Sequence, residues 1–579
     1  MAQRKNDSGA SRALKRYGPL AIVLVLVIGA IALLGGSDDD DGEDTATEGT
    51  EATGGDSEGD DSGLPMTFQE AEDAGQDVEF GEGCNTDSGR VNAPLRNAAP
   101  CIEPWEEGAD NGAATADGVT ADSIKIVVYQ GEPDPLQQAL FGAAGADTDP
   151  NAVSDTAVDY LEMFDEIYET YGRTFDIEVV KATGGPADAT AAQADARTII
   201  DKQPFAVVGG PAQTPAYWQE LVDAGIVCVG TCSLAEPWDV IEESAPYLWP
   251  TGLAPDQADL HLAEMLGKQL LGKNAEFAGD EAMRDEERVF GWVQAETETG
   301  EYTARNDEFE RVFAEEYGGE MAARSTYIFN PGAAQETATT VIARMRDAGV
   351  TSVILSVDPL IPKNITEEAT KQGYFPEWIV GPSVLADTTI FGRTYDQQQW
   401  RNAIGLSLPA ARGAVELSDS RGVYEWYYGE EPPTNTHGVI LPGTERLALG
   451  IHLAGPELTP ETFRDGLFER WVARGGGKTF THQSWGEELW GRPDYNSSDD
   501  ASVFWWDPDA TGEDETGNEG TGMLAWIDGG TRYLPGEWPE DPLPFFEDEG
   551  AVTFYEELPE GEAFPDIEPW PGSPAAGGS

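Results

Sequence analysis

Uncharged polar residues follow a buried strand-like run at 207–218, VVGGPAQTPAYW. Two glycines lead into Gln213 and Thr214, and Pro215 follows, which is the pattern of a helix N-cap with proline at N1. Glycine permits close approach of the backbone, and the free N–H groups of a helix start attract an anionic group. The stretch therefore predicts a loop that binds a small polar molecule at the end of a strand.

A second loop of this kind is SVDPLIPKN, where Ser356 and Asp358 end a strand before another helix. Two such loops facing each other would suit a small polar molecule held between two lobes. The alternative is that Thr214 only caps its helix and that Asp358 only begins a turn.

Sequence signatures of catalysis and of metal or nucleotide binding are incomplete. Neither G-x-S-x-G nor H-E-x-x-H occurs, and GGGKT has Val472 where a nucleotide loop needs its first glycine. The segment 507–519 opens like a calcium loop, but Asn518 replaces the closing glutamate. We therefore expect no catalytic residues, no metal and no cofactor, although a chance carboxylate pair stays open as a hydrolase alternative.

The charge of the chain limits its partners. The 579 residues carry 34 Lys+Arg against 107 Asp+Glu, a formal net charge of −73. Such an excess of acid excludes a generic nucleic-acid-binding surface and disfavours anionic lipid head groups. The hydrophobic content of 40% is that of a globular protein.

The N-terminus differs from the rest in charge and hydropathy. A basic segment, 1–17, precedes an uncharged segment, 18–36, which is long enough to cross a bilayer. The basic flank predicts a cytoplasmic N-terminus and a body outside the cytoplasm. A cleaved signal peptide is the alternative, but the segment is long for the apolar region of a signal peptide and no cysteine follows it for lipid attachment. The acidic segment 37–63 is rich in Gly, Ser and Thr and is typical of a disordered stalk.

The chain contains four cysteines, Cys84, Cys101, Cys228 and Cys232. In an oxidising compartment an even number suggests two disulfides, and Cys84–Cys101 with Cys228–Cys232 is the economical pairing of the three possible. A metal site is disfavoured because the four histidines are scattered along the sequence.

Strands and helices alternate twice along the body of the chain. The first unit runs from strand 123–130 through helix 154–171 and helix 187–202 to strand IVCVG. The second unit begins with helix 256–271 and includes helices 302–317 and 333–348. Strands separated by helices of this length predict mainly parallel sheets with helices on both faces, an α/β fold. The segment after Trp471 is rich in Trp and acids, and its WW and MLAWI runs predict strands.

The succession of DSIKIVVYQ, VDAGIVCVG, YLWPTGLAPDQADLHLAEML and RMRDAGVTSVILSVDP resembles the type I periplasmic-binding fold, and specifically the branched-chain amino-acid substrate-binding proteins of ABC transporters. The resemblance covers 119–471. It implies two lobes joined by three crossovers, with a ligand in the cleft and hinge closure on binding. It divides the chain into segments: an N-terminal extension at 64–118, lobe 1 at 119–250 and 381–455, lobe 2 at 251–380 and 456–480, and a C-terminal extension at 481–579.

The same resemblance assigns ligand-binding positions and partners. The family's ligand loops fall on Gln130, Gln213, Thr214, Thr231, Ser233, Asp358 and Ser383. It implies a non-enzymatic, monomeric solute-binding protein that delivers a small molecule to an ABC permease. The family's serine-rich loop is GGPAQTPA here, so the identity of the ligand stays open between an amino acid and an amide-like compound. A ligand-sensing ectodomain is the alternative, although only about sixteen residues precede the membrane segment.

Overall fold

The structure is a computed structural model of the chain. It describes residues 63–81, 83–106, 108–132, 149–211, 214–233, 236–296, 302–328, 330–383, 385–473, 475–515, 517–564 and 567–577. The predicted basic segment and anchor, all but the last residue of the predicted stalk, and Gln213 lie outside these ranges. Within the described ranges, no helix has the length and apolar character required to span a bilayer.

The N-terminal extension is a small, disulfide-linked unit. It contains helix α1 (Phe68–Ala74) and the antiparallel strands β1 (Cys84–Asn85) and β2 (Arg90–Val91). A capping box between Thr67 and Glu70 begins the helix, because each residue accepts a hydrogen bond from the backbone of the other.

The two predicted disulfides are confirmed. Cys84 is bonded to Cys101, and Cys228 is bonded to Cys232. The first bridge closes the extension on itself. The extension then docks on the first lobe, where the Nε2 of buried His452 lies 3.0 Å from the carbonyl oxygen of Pro100.

The first lobe is built on a parallel sheet of five strands in the order β4-β3-β5-β6-β7. These strands are β3 (Ser123–Gln130), β4 (Thr174–Lys181), β5 (Ala206–Val208), β6 (Val227–Val229) and β7 (Leu248–Trp249). The connecting helices are α2 (Pro150–Ile167), α3 (Ala189–Ile200), α4 (Ala216–Asp223) and α5 (Trp238–Glu243).

Two of these helices differ from prediction at their ends for identifiable local reasons. Asp149 and Asp188 accept hydrogen bonds from the first turns of α2 and α3, so α2 begins four residues before the predicted start at 154. Tyr168 is extended and therefore ends α2. Apolar periodicity locates a helix, whereas the capping side chain sets where it starts.

The second lobe is built on a sheet of eight strands in the order β14-β13-β12-β11-β10-β8-β9, with β15 paired to β13. Its strands are β8 (Phe290–Glu296), β9 (Met321–Ile328), β10 (Ser352–Ser356), β11 (Glu377–Val380), β12 (Ala403–Ser407), β13 (Ala501–Glu513), β14 (Glu519–Trp526) and β15 (Arg532–Tyr533). Its helices are α6 (Pro255–Met265), α7 (Tyr302–Tyr317), α8 (Ala334–Asp347), α9 (Ile361–Lys371), α10 (Thr389–Gly392) and α11 (Gln397–Trp400).

Both faces of the second sheet are covered. In β10, Val353 and Leu355 belong to one hydrophobic core, while Ile354 between them belongs to the core on the opposite face. This alternation follows from the two-residue period of a strand. The five strands β9, β8, β10, β11 and β12 are parallel, and β13, β14 and β15 are antiparallel additions.

The boundaries between the lobes differ from our prediction. Strand β12 lies within 381–455, which we assigned to lobe 1, yet it pairs with β11 in the second sheet. Two short helices, α10 and α11, connect these strands, so β12 continues the same sheet. The predicted C-terminal extension likewise contributes β13 and β14 to that sheet rather than folding apart from it.

Three helices complete the first lobe: α12 (Asp419–Tyr428), α13 (His437–Ala454) and α14 (Pro460–Arg470). Phe463 and Leu467 of α14 are buried in the first core, although we assigned 456–480 to lobe 2. The reason is the close contact between α13 and α14, where Gly450 and Phe463 meet. Within the described ranges, the chain passes between the lobes at about 250–254, 408–418 and 496–500, and it returns once more before 567–577, which packs on α12 of the first lobe.

Candidate functional site

The loop after β5 depends on its two glycines. Gly209 has φ +82° and ends the strand, and a Cβ placed there would lie 3.5 Å from the carbonyl oxygen of Tyr129. A Cβ on Gly210 would lie 2.8 Å from the ring of Tyr217 and 3.2 Å from the Cα of Cys232. A side chain at 210 would therefore push against the ring of Tyr217. The close approach of Gly210 to Tyr217 and Cys232 is possible because glycine has no Cβ.

Thr214 lies just before α4, whose N-cap is Pro215 and not Thr214 as its sequence context predicted. Its Oγ1 accepts a hydrogen bond of 3.2 Å from the backbone N–H of Ala216, and the residue is buried. The helix itself begins at Ala216, after Pro215. The hydroxyl therefore accepts from the first N–H of the helix, two residues along the chain, and Gln213 lies outside the described residues.

Thr231 and Ser233 lie on the loop after β6. The turn 230–232 brings Thr231 toward Gly209, whose Cβ position lies 3.6 Å from the Oγ1 of Thr231. Ser233 is 3% exposed, and its Oγ has no hydrogen-bond partner among the described residues. A buried hydroxyl without a partner costs free energy, so a bound group that supplies a partner would be stabilised here.

Gln130 occupies the end of β3 at the same edge of the first sheet. Its Nε2 donates a hydrogen bond of 3.0 Å to the Oδ1 of Asn151 in the first turn of α2. This bond directs the side-chain amide of Gln130 toward the start of α2, within the same lobe. The backbone carbonyl of Gln130 accepts a hydrogen bond from the N–H of Ala182.

Asp358 follows β10 in the second lobe and accepts several hydrogen bonds. Its Oδ1 accepts from the backbone N–H groups of Leu360 and Ile361, at 2.7 and 3.0 Å, before α9. Its Oδ2 accepts from the hydroxyl of Tyr327, at the end of β9. Burial raises the pKa of Asp358, and these hydrogen bonds oppose the rise by stabilising the charged form.

Asp358 thus begins a turn, as the alternative interpretation held. Its carboxylate nevertheless has further capacity to accept hydrogen bonds. A carboxylate offers about four acceptor positions, and Oδ2 has one that these three donors leave open. The structure leaves the predicted contact with a ligand untested.

Ser383 follows β11, next to the end of β10. Its Oγ is buried without a partner among the described residues, as is the Oγ of Ser233 in the first lobe. The neighbouring Ser356 Oγ accepts a hydrogen bond of 3.0 Å from the Nε1 of Trp292. Gly381 lies against Ser356, since its Cβ position is 2.9 Å from the Ser356 Oγ.

Asp387 is a second acid in the loop after β11 that sequence reasoning missed. Its Oδ2 accepts a hydrogen bond of 2.7 Å from the Oγ of Ser407, the last residue of β12. Burial raises the pKa of Asp387 to about 6. The partners lie twenty residues apart in the chain, so no local pattern could have indicated the pair.

The residues singled out in the two lobes differ in charge. The described residues singled out in the first lobe, Gln130, Thr214, Thr231 and Ser233, are neutral, whereas the second lobe contributes two acids, Asp358 and Asp387. Among these described residues, no hydrogen bond joins the set in one lobe to the set in the other. The structure places Gln130, Thr214, Thr231 and Ser233 in the first lobe and Asp358 and Ser383 in the second, and their contact with a ligand stays a prediction.

The crossovers between the lobes meet at buried polar side chains. Arg446 of α13 donates from Nη1 to the carbonyl of Trp249 at 2.9 Å and also to that of Pro250. Its Nη2 donates to Ser497, whose Oγ donates to the carbonyl of Thr251 at 2.9 Å. One guanidinium therefore joins the first crossover to the third.

The segment with the partial calcium signature is part of a β-hairpin. The Oδ1 of Asp507 accepts from the backbone N–H groups of Asp509 and Ala510 at 2.9 and 3.1 Å. Within the described ranges, no three His, Cys, Asp or Glu side chains lie close enough together to hold a metal ion.

Comparison with known proteins gives matches in structure only. No protein-family model matches the sequence, and the search of curated proteins found no match. The solved structures that resemble the chain include type I periplasmic binding proteins, such as one from Bordetella pertussis, with 14% identity and a TM-score of 0.43 over 69% of this chain and 100% of that one.

Two further solved structures are described by their ligands. The leucine-, isoleucine-, valine-, threonine- and alanine-binding protein from Brucella ovis is 13% identical, with a TM-score of 0.48 over 75% of this chain and 100% of that one. A solute-binding protein of an ABC transporter from Rhodopseudomonas palustris, solved with p-hydroxybenzoic acid, is 13% identical, with a TM-score of 0.47 over 72% and 98%. At these identities the similarity concerns the course of the chain and not the residues of the site.

Proposed function

We propose that this protein is an extracytoplasmic solute-binding protein that captures a small polar molecule between its two lobes and delivers it to an ABC-type importer. The observation that carries the proposal is the pair of buried, unpartnered hydroxyls, Ser233 in one lobe and Ser383 in the other, each just beyond the carboxyl end of a parallel strand. Ligands of open α/β sheets bind outside these strand ends. Three crossovers between the lobes supply a hinge on which they can close.

The ligand in this proposal is an amino acid or an amide-like compound. A carboxylate or carbonyl oxygen would meet the hydroxyl of Ser233 and the start of α4 at Thr214, where free N–H groups favour an anion. An ammonium group would meet the open acceptor position on Asp358. The neutral side chains of Thr214 and Ser233 and the carboxylate of Asp358 support this orientation.

The proposal extends to the location of the protein. The segment 18–36 would anchor it in the cell membrane with the N-terminus in the cytoplasm, and the acidic stalk would hold a monomeric body outside. The two disulfides support an oxidising compartment, since such bridges persist outside the cytosol.

A thermal-shift screen of the protein against amino acids, amides, urea and small aromatic acids tests the function. A compound present at a hundred times its dissociation constant stabilises the folded state by about 2.7 kcal/mol, which raises the melting temperature. Small-angle scattering with that compound should then show a smaller radius of gyration, because the lobes close.

Two results would contradict the proposal. Turnover of a bound compound into product would favour the hydrolase alternative. Ligand binding together with stable co-purification of a signalling receptor, and no permease, would favour the ligand-sensing ectodomain.

A further inference from the structure

The Cys228–Cys232 disulfide lies within the candidate site. Cys228 is in β6, and Cys232 ends the turn that follows this strand. Both cysteines are 1% exposed. Thr231 and Ser233 stand on either side of Cys232, so the bridge ties both of these residues to the strand.

The same bridge bears on the neighbouring loop. The Cα of Cys232 lies 3.2 Å from the Cβ position of Gly210, on the loop that leads to Thr214. On its other side, the turn packs on helix α13, where the Cβ position of Gly230 is 3.1 Å from the Cα of Gly443. The turn is therefore held between a helix and a glycine loop, and movement of Cys232 would displace the loop as well.

The span of the bridge indicates that its main effect is local. In the chain-entropy account, a disulfide stabilises a fold more when it closes a longer loop. Cys84 and Cys101 are 17 residues apart, whereas Cys228 and Cys232 are only 4 apart. The shorter bridge therefore restricts the unfolded chain less, and what it restricts most is the conformation of the turn itself.

We propose that the Cys228–Cys232 disulfide is a positioning element of the ligand site. It holds the hydroxyls of Thr231 and Ser233 at the strand end and, through the contact of Cys232 with Gly210, keeps 209–211 in place. The inference rests on the proposed function for the role of these loops. Opening the bridge would loosen both loops together and weaken binding. The loss of global stability would be smaller than that caused by opening Cys84–Cys101.

Hydrogen–deuterium exchange of the ligand-free protein tests the positioning role. The variant Cys228→Ser/Cys232→Ser should show exchange about tenfold faster in peptides covering 209–216 and 229–233, since local opening of these loops becomes easier. The matched control is Cys84→Ser/Cys101→Ser, which removes the bridge in the N-terminal extension. This control should lower the melting temperature more than Cys228→Ser/Cys232→Ser does, and it should leave hydrogen exchange in the two loops unchanged. Equal exchange in wild type and the first variant, or equal acceleration in both variants, would overturn the proposal.

A second measurement covers the case in which the first variant does not fold. In the Cys84→Ser/Cys101→Ser protein only one bridge remains, so treatment with a phosphine opens Cys228–Cys232 alone, and mass spectrometry confirms the reduction. Exchange in the same peptides before and after reduction then decides the question. Faster exchange confined to them supports positioning, and unchanged exchange contradicts it.

Binding separates this inference from the proposed function. Any compound of the thermal-shift panel that binds the wild type should bind Cys228→Ser/Cys232→Ser with a dissociation constant raised about tenfold, and Cys84→Ser/Cys101→Ser unchanged. A wild-type protein that binds no compound of the panel counts against the proposed function. The exchange comparison still decides independently whether the bridge holds the two loops.

Discussion

Arg532 and Asp500 form a buried ion pair in which Nε and Oδ1 are 2.9 Å apart and the side chains are 2% and 3% exposed. Arg532 also donates from Nη2 to the carbonyl of Leu408 at 2.6 Å and from Nη1 to that of Pro409 at 2.9 Å. Leu408 begins the second crossover and Asp500 ends the third. One guanidinium therefore fastens the second crossover to the third.

Removal of this guanidinium should destabilise the protein strongly. In Arg532→Ala the carboxylate of Asp500 stays buried without its cation, and breaking a buried pair in this way costs about 3–5 kcal/mol. Burial already raises the pKa of Asp500, and Arg532 opposes that rise. Urea denaturation measures the change in the free energy of unfolding.

The control for this prediction is Arg311→Ala. Arg311 pairs on the surface of α7 with Glu308 at 2.5 Å and with Glu315. Because exposed pairs contribute about 0–1 kcal/mol, this variant should change stability little. An equal loss in the two variants would show that Arg532 does not hold the crossovers in the way its contacts indicate.

Substitution of Asp358 should distinguish ligand classes. Asp358→Asn keeps an oxygen for the N–H groups of Leu360 and Ile361 but removes the negative charge. For an amino acid, binding should weaken by roughly 2 to 5 kcal/mol, the range for one partner of a buried charge pair. For a neutral amide the loss should be about 1 kcal/mol.

Calorimetry on the wild type and Asp358→Asn makes this measurement, with Tyr327→Phe as the control. The control removes the hydroxyl that donates to Asp358 while it keeps the carboxylate. An amino acid that binds wild type and Asp358→Asn equally well would show that Asp358 only begins the turn before α9.

Glu445 should make stability depend on pH. It lines a small cavity of about 10 Å³ beside Arg446, and burial together with the charge of Asp419 raises its pKa to about 8. Between pH 4.5 and about 8 the folded state therefore keeps a proton on Glu445 that the unfolded state has lost. The free energy of unfolding consequently falls as pH rises through this range.

A glutamine at this position cannot ionise. Glu445→Gln should therefore leave stability nearly unchanged at pH 5 and increase it by roughly 3 to 5 kcal/mol at pH 8. Urea denaturation at both pH values measures this, with Glu320→Gln on the surface as the matched control. The same change in stability at pH 5 and pH 8 would contradict the prediction.

The net charge of −73 should make the fold dependent on salt. Repulsion among the acids destabilises the compact state, and added ions screen it over a Debye length of about 10 Å at 0.1 M and 3 Å at 1 M. We expect the melting temperature to rise by a few degrees, on the order of 1 kcal/mol, between 0.1 and 1 M NaCl. Sucrose at equal osmolality is the control, and an equal effect of sucrose would rule out screening as the cause.

The N-terminal segment should remain on the mature protein. The uncharged segment 18–36 is long for the apolar region of a signal peptide, so we expect a retained anchor. N-terminal sequencing of the protein from its native membrane measures this directly. A mature N-terminus beyond Gly36 would show that the segment is a cleaved signal.

Local patterns in the sequence were enough to predict the elements and the loops between them. The alternation of apolar and polar residues in β4 and the apolar spacing of α2 involve only near neighbours in the chain, so they can be read without the fold. The two disulfides also followed from the sequence, because each joins cysteines that are close along the chain. The loops that carry Thr214 and Asp358 were located for the same reason.

Only the tertiary structure decided which elements share a sheet and which polar groups meet. Ala403–Ser407 joins the second sheet and Pro460–Arg470 the first core, and nothing in their own composition distinguishes the two lobes. The Tyr327–Asp358 and Arg532–Asp500 contacts join residues 31 and 32 positions apart. The physical reason is that periodicity and capping are set by neighbouring residues, whereas sheet order and buried hydrogen bonds depend on which distant surfaces are brought together to exclude water.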